Sequence, residues 1–406
     1  MKPLRCLAIS NSYPPDHAGG YELGARNLLD ALASHCGWQN SVVASVRKQK
    51  PLGVVSPELT GFFPGKLGPE YERWKIRHSL FRNHAKIVAE LKRNSEDADF
   101  ILIFNPRRLI LPQWISVLAC RKPTFVFVSD YWPQDPFASD LFYSKSRKIE
   151  GTSSLKDSKL QEIYKPGLET EDLFADCRGV IFGSRYLREA LVSPFSAVKD
   201  QFVAHWGIAT DQFSQIPFSA DRLKTFGFCG RPEKEKGFDL ALEAFRQVAS
   251  QTENVRMLVA SDLSSSAFGR SIRKKIQSDP LLNRTVTQLG HIPHKELHTQ
   301  FYSQIGILLF ASIWQEPFAL TVLEAMASGV LVIGSSAGGT PEVIDQTTGF
   351  LFDPGKEGDL LAVCLHALEE GESNYERVDR GAERIRSIHT LPYMAERVDG
   401  FIRDLI

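Results

Sequence analysis

Short apolar runs of four to six residues, rich in β-branched and aromatic side chains, alternate along this chain with stretches whose apolar positions recur at helical spacing. That alternation predicts parallel strands joined by crossover helices, and so an α/β fold. In the first half the strands are expected at Arg5–Ile9, Ser41–Val46, Phe100–Phe104, Thr124–Val128, Gly179–Phe182 and Gln201–Ala204. In the second half they are expected at Thr225–Cys229, Val255–Ala260, Thr285–Gln288, Ile305–Phe310 and Val330–Ile333, which makes two sheets of comparable size. His205-Trp206-Gly207-Ile208 leads into Ala209–Leu223, a stretch with Pro217 and no clean periodicity, which reads as the hinge. Three helices are expected at the end, Asp359–Glu370, Tyr375–His389 and Pro392–Leu405, broken at Gly371 and Pro392. Polar, poorly periodic Pro136–Asp172 reads as an insertion, either a functional lid or a disordered segment.

The length of 406 residues exceeds what one hydrophobic core usually serves, so the two sheets imply two domains. With 43% hydrophobic and 24% charged residues the composition is globular, which excludes a coiled coil or a collagen-like repeat. Forty-eight basic residues balance 48 acidic ones, and a net charge of zero argues against a nucleic-acid partner. Six scattered cysteines with no Cys-x-x-Cys pair fit neither a zinc site nor a dense disulfide framework and point to reducing cytoplasm. The apolar run at Cys6–Ile9 is too short for a signal peptide, and no stretch reaches the roughly 18 residues of a spanning helix.

Four turns carry candidate chemistry. In Ile305–Gly329 a buried strand breaks at Ser312–Gln315 and a helix is expected from Pro317–Phe318. The first free N–H groups of that helix, on Phe318, Ala319, Leu320 and Thr321, would favour a phosphate. Glu316 precedes the helix and Glu324 lies two turns inside it; they could accept hydrogen bonds from sugar and ribose hydroxyls, or be a cap and a solvated charge. Arg231 and Lys236 follow another strand end, where two cations could hold a diphosphate or form an ordinary charged loop. Gly19 and Gly20 follow the first strand and permit close backbone approach, although the Gly-x-Gly-x-x-Gly dinucleotide fingerprint is absent. Gly338-Gly339-Thr340-Pro341-Glu342 adds another loop at a strand end, with a purely structural turn as the alternative.

These stretches resemble the GT-B glycosyltransferases, specifically the large retaining family four. The resemblance covers most of the chain, is densest in Lys224–Pro354, and is most specific at Glu316 and Glu324, with seven residues between them. It implies two Rossmann-like domains facing across a cleft. These would be an acceptor-binding domain at 1–208, a linker at 209–223, a nucleotide-sugar domain at 224–390, and a terminal helix at 391–406 returning to the first domain. It implies that Arg231 and Lys236 bind the diphosphate, Glu324 the ribose and Glu316 the transferred sugar, while Gly20 approaches the phosphates. Asp130 best fits the acidic or histidine residue that family members place near the sugar, and His205 stands where an Asn-Gly-Val-Asp linker is commoner. No tightly bound cofactor is implied: the nucleotide diphosphate-sugar, of UDP, GDP or ADP type, is a substrate.

The acceptor would be a glycan, a lipid-linked molecule or a small molecule, and transfer would proceed with retention. No metal ligand is expected, because the one Asp-x-Asp triplet, Asp97-Ala98-Asp99, precedes a strand instead of following one. Glu70–Asn94 reads as a basic helix with Trp74, Phe81 and Val88 seven apart. It is either a core-facing stripe with solvated charges or a peripheral contact with the inner face of a membrane. The rival readings are an epimerase or hydrolase of the same fold and a non-catalytic sugar-nucleotide-binding protein. A nicotinamide-dependent oxidoreductase is disfavoured by the missing glycine fingerprint.

Overall fold

The apolar runs at the centre of each sheet become strands buried on both faces. A parallel sheet covered by helices on each side requires this, and it is why the runs are continuous instead of alternating. The computed structural model describes residues 2–10, 13–14, 20–44, 54–55, 84–105, 114, 117–134 and 173–406. The first sheet contains β1 (Arg5–Ser10), β2 (Gln39–Ala44), β3 (Val54–Val55), β4 (Phe100–Ile103), β5 (Thr124–Val128), β6 (Gly179–Phe182) and β7 (Gln201–Val203). The second contains β8 (Thr225–Cys229), β9 (Arg256–Ala260), β10 (Val286–Gln288), β11 (Ile307–Phe310), β12 (Leu331–Ser335) and β13 (Phe350–Phe352).

The strand orders are β3-β2-β1-β4-β5-β6-β7 and β10-β9-β8-β11-β12-β13, with parallel pairing throughout the described strands. Each is a Rossmann-like doubly wound sheet, and the order reverses between β1 and β4 and between β8 and β11. Loops leaving the carboxyl ends of the strands diverge at such a reversal and open a crevice for ligands. Each sheet has its own core. Trp114, Val126 and Phe174 belong to the first; Phe226, Phe228, Phe245, Ile307 and Ile333 belong to the second.

Contacts divide the chain into Met1–His205 with Met394–Ile406, and Trp206–Tyr393. Residues 209–223 pack within the second of these units. Ile216 N–H donates to the Ser328 carbonyl at 3.0 Å, Arg222 Nη2 donates to the Ile305 carbonyl at 2.7 Å, and Phe213 is buried. The terminal helix Leu391–Arg403 is fastened to the first unit at Asp399, which accepts from Trp38 Nε1 at 2.6 Å and from Arg403 Nε at 2.7 Å. Phe401 of this helix stacks on Phe202 of β7 at 5.0 Å.

The strands β3 and β13, of two and three residues, are too short for periodicity to reveal. The second strand begins at Gln39, two residues before the expected Ser41. Asp99 of the Asp-x-Asp triplet accepts from the Arg5 backbone at 2.8 Å and pairs with its guanidinium at 2.9 Å, which holds its carboxyl below the ordinary range. Of the basic segment, the described part forms the helix His84–Glu96. Residues 70–83, the 136–172 insertion and Gly19 lie outside the described residues. No helix among the described residues is long and apolar enough to cross a membrane.

Removing the Asp399 carboxylate would leave a buried indole N–H and a guanidinium without their partner. Asp399→Ala is therefore expected to cost about 2 kcal/mol in urea denaturation, with Asp399→Asn recovering part of the loss. An unchanged urea midpoint would show that the terminal helix is held by its aromatic contacts alone.

Candidate active site

β8 ends at Cys229 and β11 at Phe310, so segments 230–237 and 311–319 leave the second sheet side by side at its reversal. Gly237 lets them touch. It sits at φ +64°, and a Cβ there would lie 1.8 Å from the Ala311 carbonyl oxygen. The Glu235 carbonyl then accepts from Ile313 N–H at 2.9 Å and Trp314 N–H at 3.1 Å, stitching one loop to the other.

This backbone contact carries Lys236 to Glu316. Nζ lies 2.5 Å from Oε1, with the lysine side chain 25% exposed and the glutamate 11%. Ser312 Oγ stands 2.8 Å from the same carboxylate oxygen. The turn after β12 secures Glu316 from another side. Gly338, at φ +64°, leaves no room for a Cβ, which would lie 2.3 Å from the Glu316 carbonyl oxygen. Gly339 N–H donates to that oxygen at 2.7 Å, and Gly338 N–H donates to Gln315 Oε1 at 2.8 Å. Three strand-end loops therefore fix one ion pair.

The same turn corrects the expected helix start. The helix runs Leu320–Ala327 with Ala319 as its N-cap, and does not begin at Pro317–Phe318. Bonding of the Glu316 carbonyl to Gly339 and packing of Gly339 on Pro317 hold this stretch outside helical geometry. Phe318 and Ala319 thus precede the helix, and Leu320 and Thr321 are its first residues, ahead of the Val322 N–H that bonds the Ala319 carbonyl at 3.0 Å.

Glu324, deeper in the helix, is 8% exposed and accepts from the Tyr302 hydroxyl at Oε2, at 2.8 Å. His294 Nε2 lies 2.8 Å from its Oε1. That hydrogen bond raises the His294 pKa above its ordinary 6.5, burial opposing it. Burial, then the Glu324 charge, raises the Tyr302 hydroxyl well above its usual range and pushes the Cys229 thiol up to about 12. Neither His294 nor Tyr302 stands out in the sequence, since they lie 30 and 22 residues before the glutamate they serve. Arg231 pairs instead with Glu233, two residues away, at 2.9 Å, and its side chain is 69% exposed.

The remaining candidates belong to the first unit. Gly20 is the exposed first residue of the helix Gly20–Cys36. Asp130 Oδ1 accepts from Trp132 N–H at 2.7 Å in the turn after β5, an arrangement that shapes the turn. The Tyr21 hydroxyl donates to the Phe104 carbonyl, and burial followed by the Asp130 charge raises its pKa. Among the described residues, no group of three or more His, Cys, Asp or Glu could hold a metal ion.

Residues 210–384 match the family model described as glycosyl transferases group 1. Lipopolysaccharide 1,2-N-acetylglucosaminetransferase of Salmonella typhimurium is 27% identical over 42% of this chain and 45% of that protein. Mannosylfructose-phosphate synthase of Agrobacterium fabrum is 27% identical over 42% of this chain and 38% of that protein. The chain therefore spans less than half the length of these curated relatives. Among solved structures, sucrose-phosphate synthase from Thermosynechococcus elongatus matches with a TM-score of 0.68 at 20% identity, over 99% of each chain. The Anabaena protein HepE in complex with UDP matches with a TM-score of 0.69 at 15% identity, over 100% of each chain. These similarities show the GT-B fold.

The raised pKa of His294 fixes the sign of a pH effect. The pair's contribution to stability is full below about pH 6.5 and is lost as the pH rises through the raised value. The fall in melting temperature from about pH 6 to about pH 8 is expected to be shallower in His294→Gln, whose amide donates but does not titrate. Equal slopes in wild type and variant would show that the imidazole charge is not linked to folding.

Proposed function

Because residues 210–384 match the family model of the glycosyl transferases group 1, we propose that the protein transfers a hexose from a nucleoside diphosphate-sugar to an acceptor hydroxyl, with retention of anomeric configuration. The observation that carries this reading is the Lys236–Glu316 pair at the reversal of the second sheet, a cation and a carboxylate fixed where doubly wound sheets bind ligands. Its second support is Glu324, a buried carboxylate one helical segment away, which suits a ribose diol.

In this reading the second unit binds the donor and the first the acceptor, a glycan, a lipid-linked molecule or a small molecule. Breaking the bond between the anomeric carbon and the β-phosphate oxygen puts negative charge on the diphosphate and positive charge on the sugar ring. Lys236 and the N–H groups of Leu320 and Thr321 stabilise the diphosphate, and Arg231 reaches it by leaving its exposed partner Glu233. Exchanging that surface pair for a diphosphate costs little, since such pairs contribute only about 0–1 kcal/mol. Glu316 orients the sugar through its hydroxyls. The acceptor oxygen bonds to the anomeric carbon on the face the diphosphate leaves, and its proton passes to the departing phosphate oxygen. Asp130 and Gly20 are assigned to the transferred sugar and the phosphate approach, respectively. The six free cysteines are in keeping with a reducing, cytoplasmic compartment.

Glu316→Ala frees Lys236 for phosphate. It is expected to lower transfer by at least about a hundredfold while nucleoside diphosphate affinity stays within about threefold or tightens. Radiolabelled sugar transfer and calorimetry with UDP, GDP and ADP measure the two effects; turnover near wild type would remove Glu316 from the chemistry. Arg231→Ala is expected to weaken diphosphate binding by about fivefold or more. Unchanged affinity would leave Arg231 as a solvated partner of Glu233.

A further inference from the structure

Glu324 is gripped from two directions by groups to which the transfer reaction gives no part. Tyr302, fully buried, donates its hydroxyl proton to Oε2, and His294 Nε2 meets Oε1 from the wetter side, its ring 42% exposed. The Phe213 ring packs edge-on against His294 and Tyr302, with centroids 6.2 and 6.1 Å away. His294 also opens the short turn His294–Glu296 directly after Pro293, whose ring fixes the backbone entering it. Both partners of the carboxylate are thus themselves held in place.

A carboxylate oxygen offers about two acceptor sites, so one bond to each oxygen leaves one site on each. Pinned at both ends, the group loses free rotation about its last side-chain bond, and the two remaining sites keep a fixed spacing and direction. The 2′ and 3′ hydroxyls of a ribose lie on adjacent carbons and present two donors at a matching separation. A locked carboxylate meets both at once, whereas a rotating one must give up that freedom on binding.

We propose that His294 and Tyr302 are positioning residues that lock the Glu324 carboxylate for the vicinal diol of the donor nucleotide, with His294 setting how strongly that diol is recognised. The inference rests on reading Glu324 as the ribose ligand. Of the two, His294 is the informative residue to alter. Its loss leaves the buried Tyr302 bond in place, so the carboxylate keeps one partner and the core is untouched.

The test is calorimetry on the full chain with whichever of UDP, GDP and ADP binds tightest, alongside its 2′,3′-dideoxy counterpart. Wild type is expected to favour the diol form by about tenfold or more. In His294→Ala that ratio is expected to fall to about twofold through weaker binding of the diol form alone, and His294→Gln, with an amide N–H in place, to restore most of it. Should His294→Ala fail to fold, Tyr302→Phe must reduce the same ratio. Equal weakening of both ligands in His294→Ala, or no recovery in His294→Gln, would overturn the positioning role alone. A wild type indifferent to the diol would instead remove Glu324 as the ribose ligand and take this inference with it.

Discussion

The bond between Lys236 and Glu316 is the constraint around which the second unit's loops are arranged. A cation and a carboxylate this close, both mostly shielded from water, attract far more strongly than an exposed pair, provided their other polar atoms are satisfied. Ser312 adds a second donor to the same carboxylate oxygen, and Gly237 and Gly338 allow the three loops to approach at distances no other residue would permit. The pair therefore depends on backbone contacts among segments that follow β8, β11 and β12. Those segments converge because the strand order reverses between β8 and β11. Topology brings the loops together, the glycines close the gap, and the charges occupy the resulting crevice.

Behind this edge the sheet is dry. Phe226 and Phe228 of β8 share one core with Phe245, and the fully buried β12 runs beside β11, so the loop ends are anchored on a packed base. Glu324 belongs to the same design one turn deeper, with Tyr302 and His294 taking one oxygen each. Two carboxylates of one short segment thus have opposite surroundings. Glu316 is neutralised by a lysine and lies against a loop, while Glu324 is anchored by neutral and histidine donors within the core wall.

Much of this was legible in the sequence. Continuous runs such as Thr124–Val128 and Thr225–Cys229 become strands with the expected ends, because burial on both faces keeps each run free of charged residues, with a threonine at its start. Glu316, Lys236 and the two glycines of the 338–342 turn were identifiable from their places after strands. The helix start was not, because the bond that delays it to Leu320 comes from Gly339, 23 residues beyond Glu316. Nor were His294 and Tyr302: Pro-His-Lys-Glu is an ordinary charged turn until the fold closes it onto Glu324. Arg231 illustrates the converse, since its sequence position suggests an anion while its side chain pairs with a neighbour at the surface.

In the proposed function Lys236, already drawn to this edge by Glu316, receives the second phosphate of the leaving group. The most direct measurement is the ratio of affinities for a nucleoside diphosphate and its monophosphate, in wild type and in Lys236→Met, by calorimetry at fixed salt. Wild type is expected to prefer the diphosphate by about tenfold or more, and Lys236→Met to bring the ratio close to unity with monophosphate affinity preserved. An undiminished preference in Lys236→Met would contradict it.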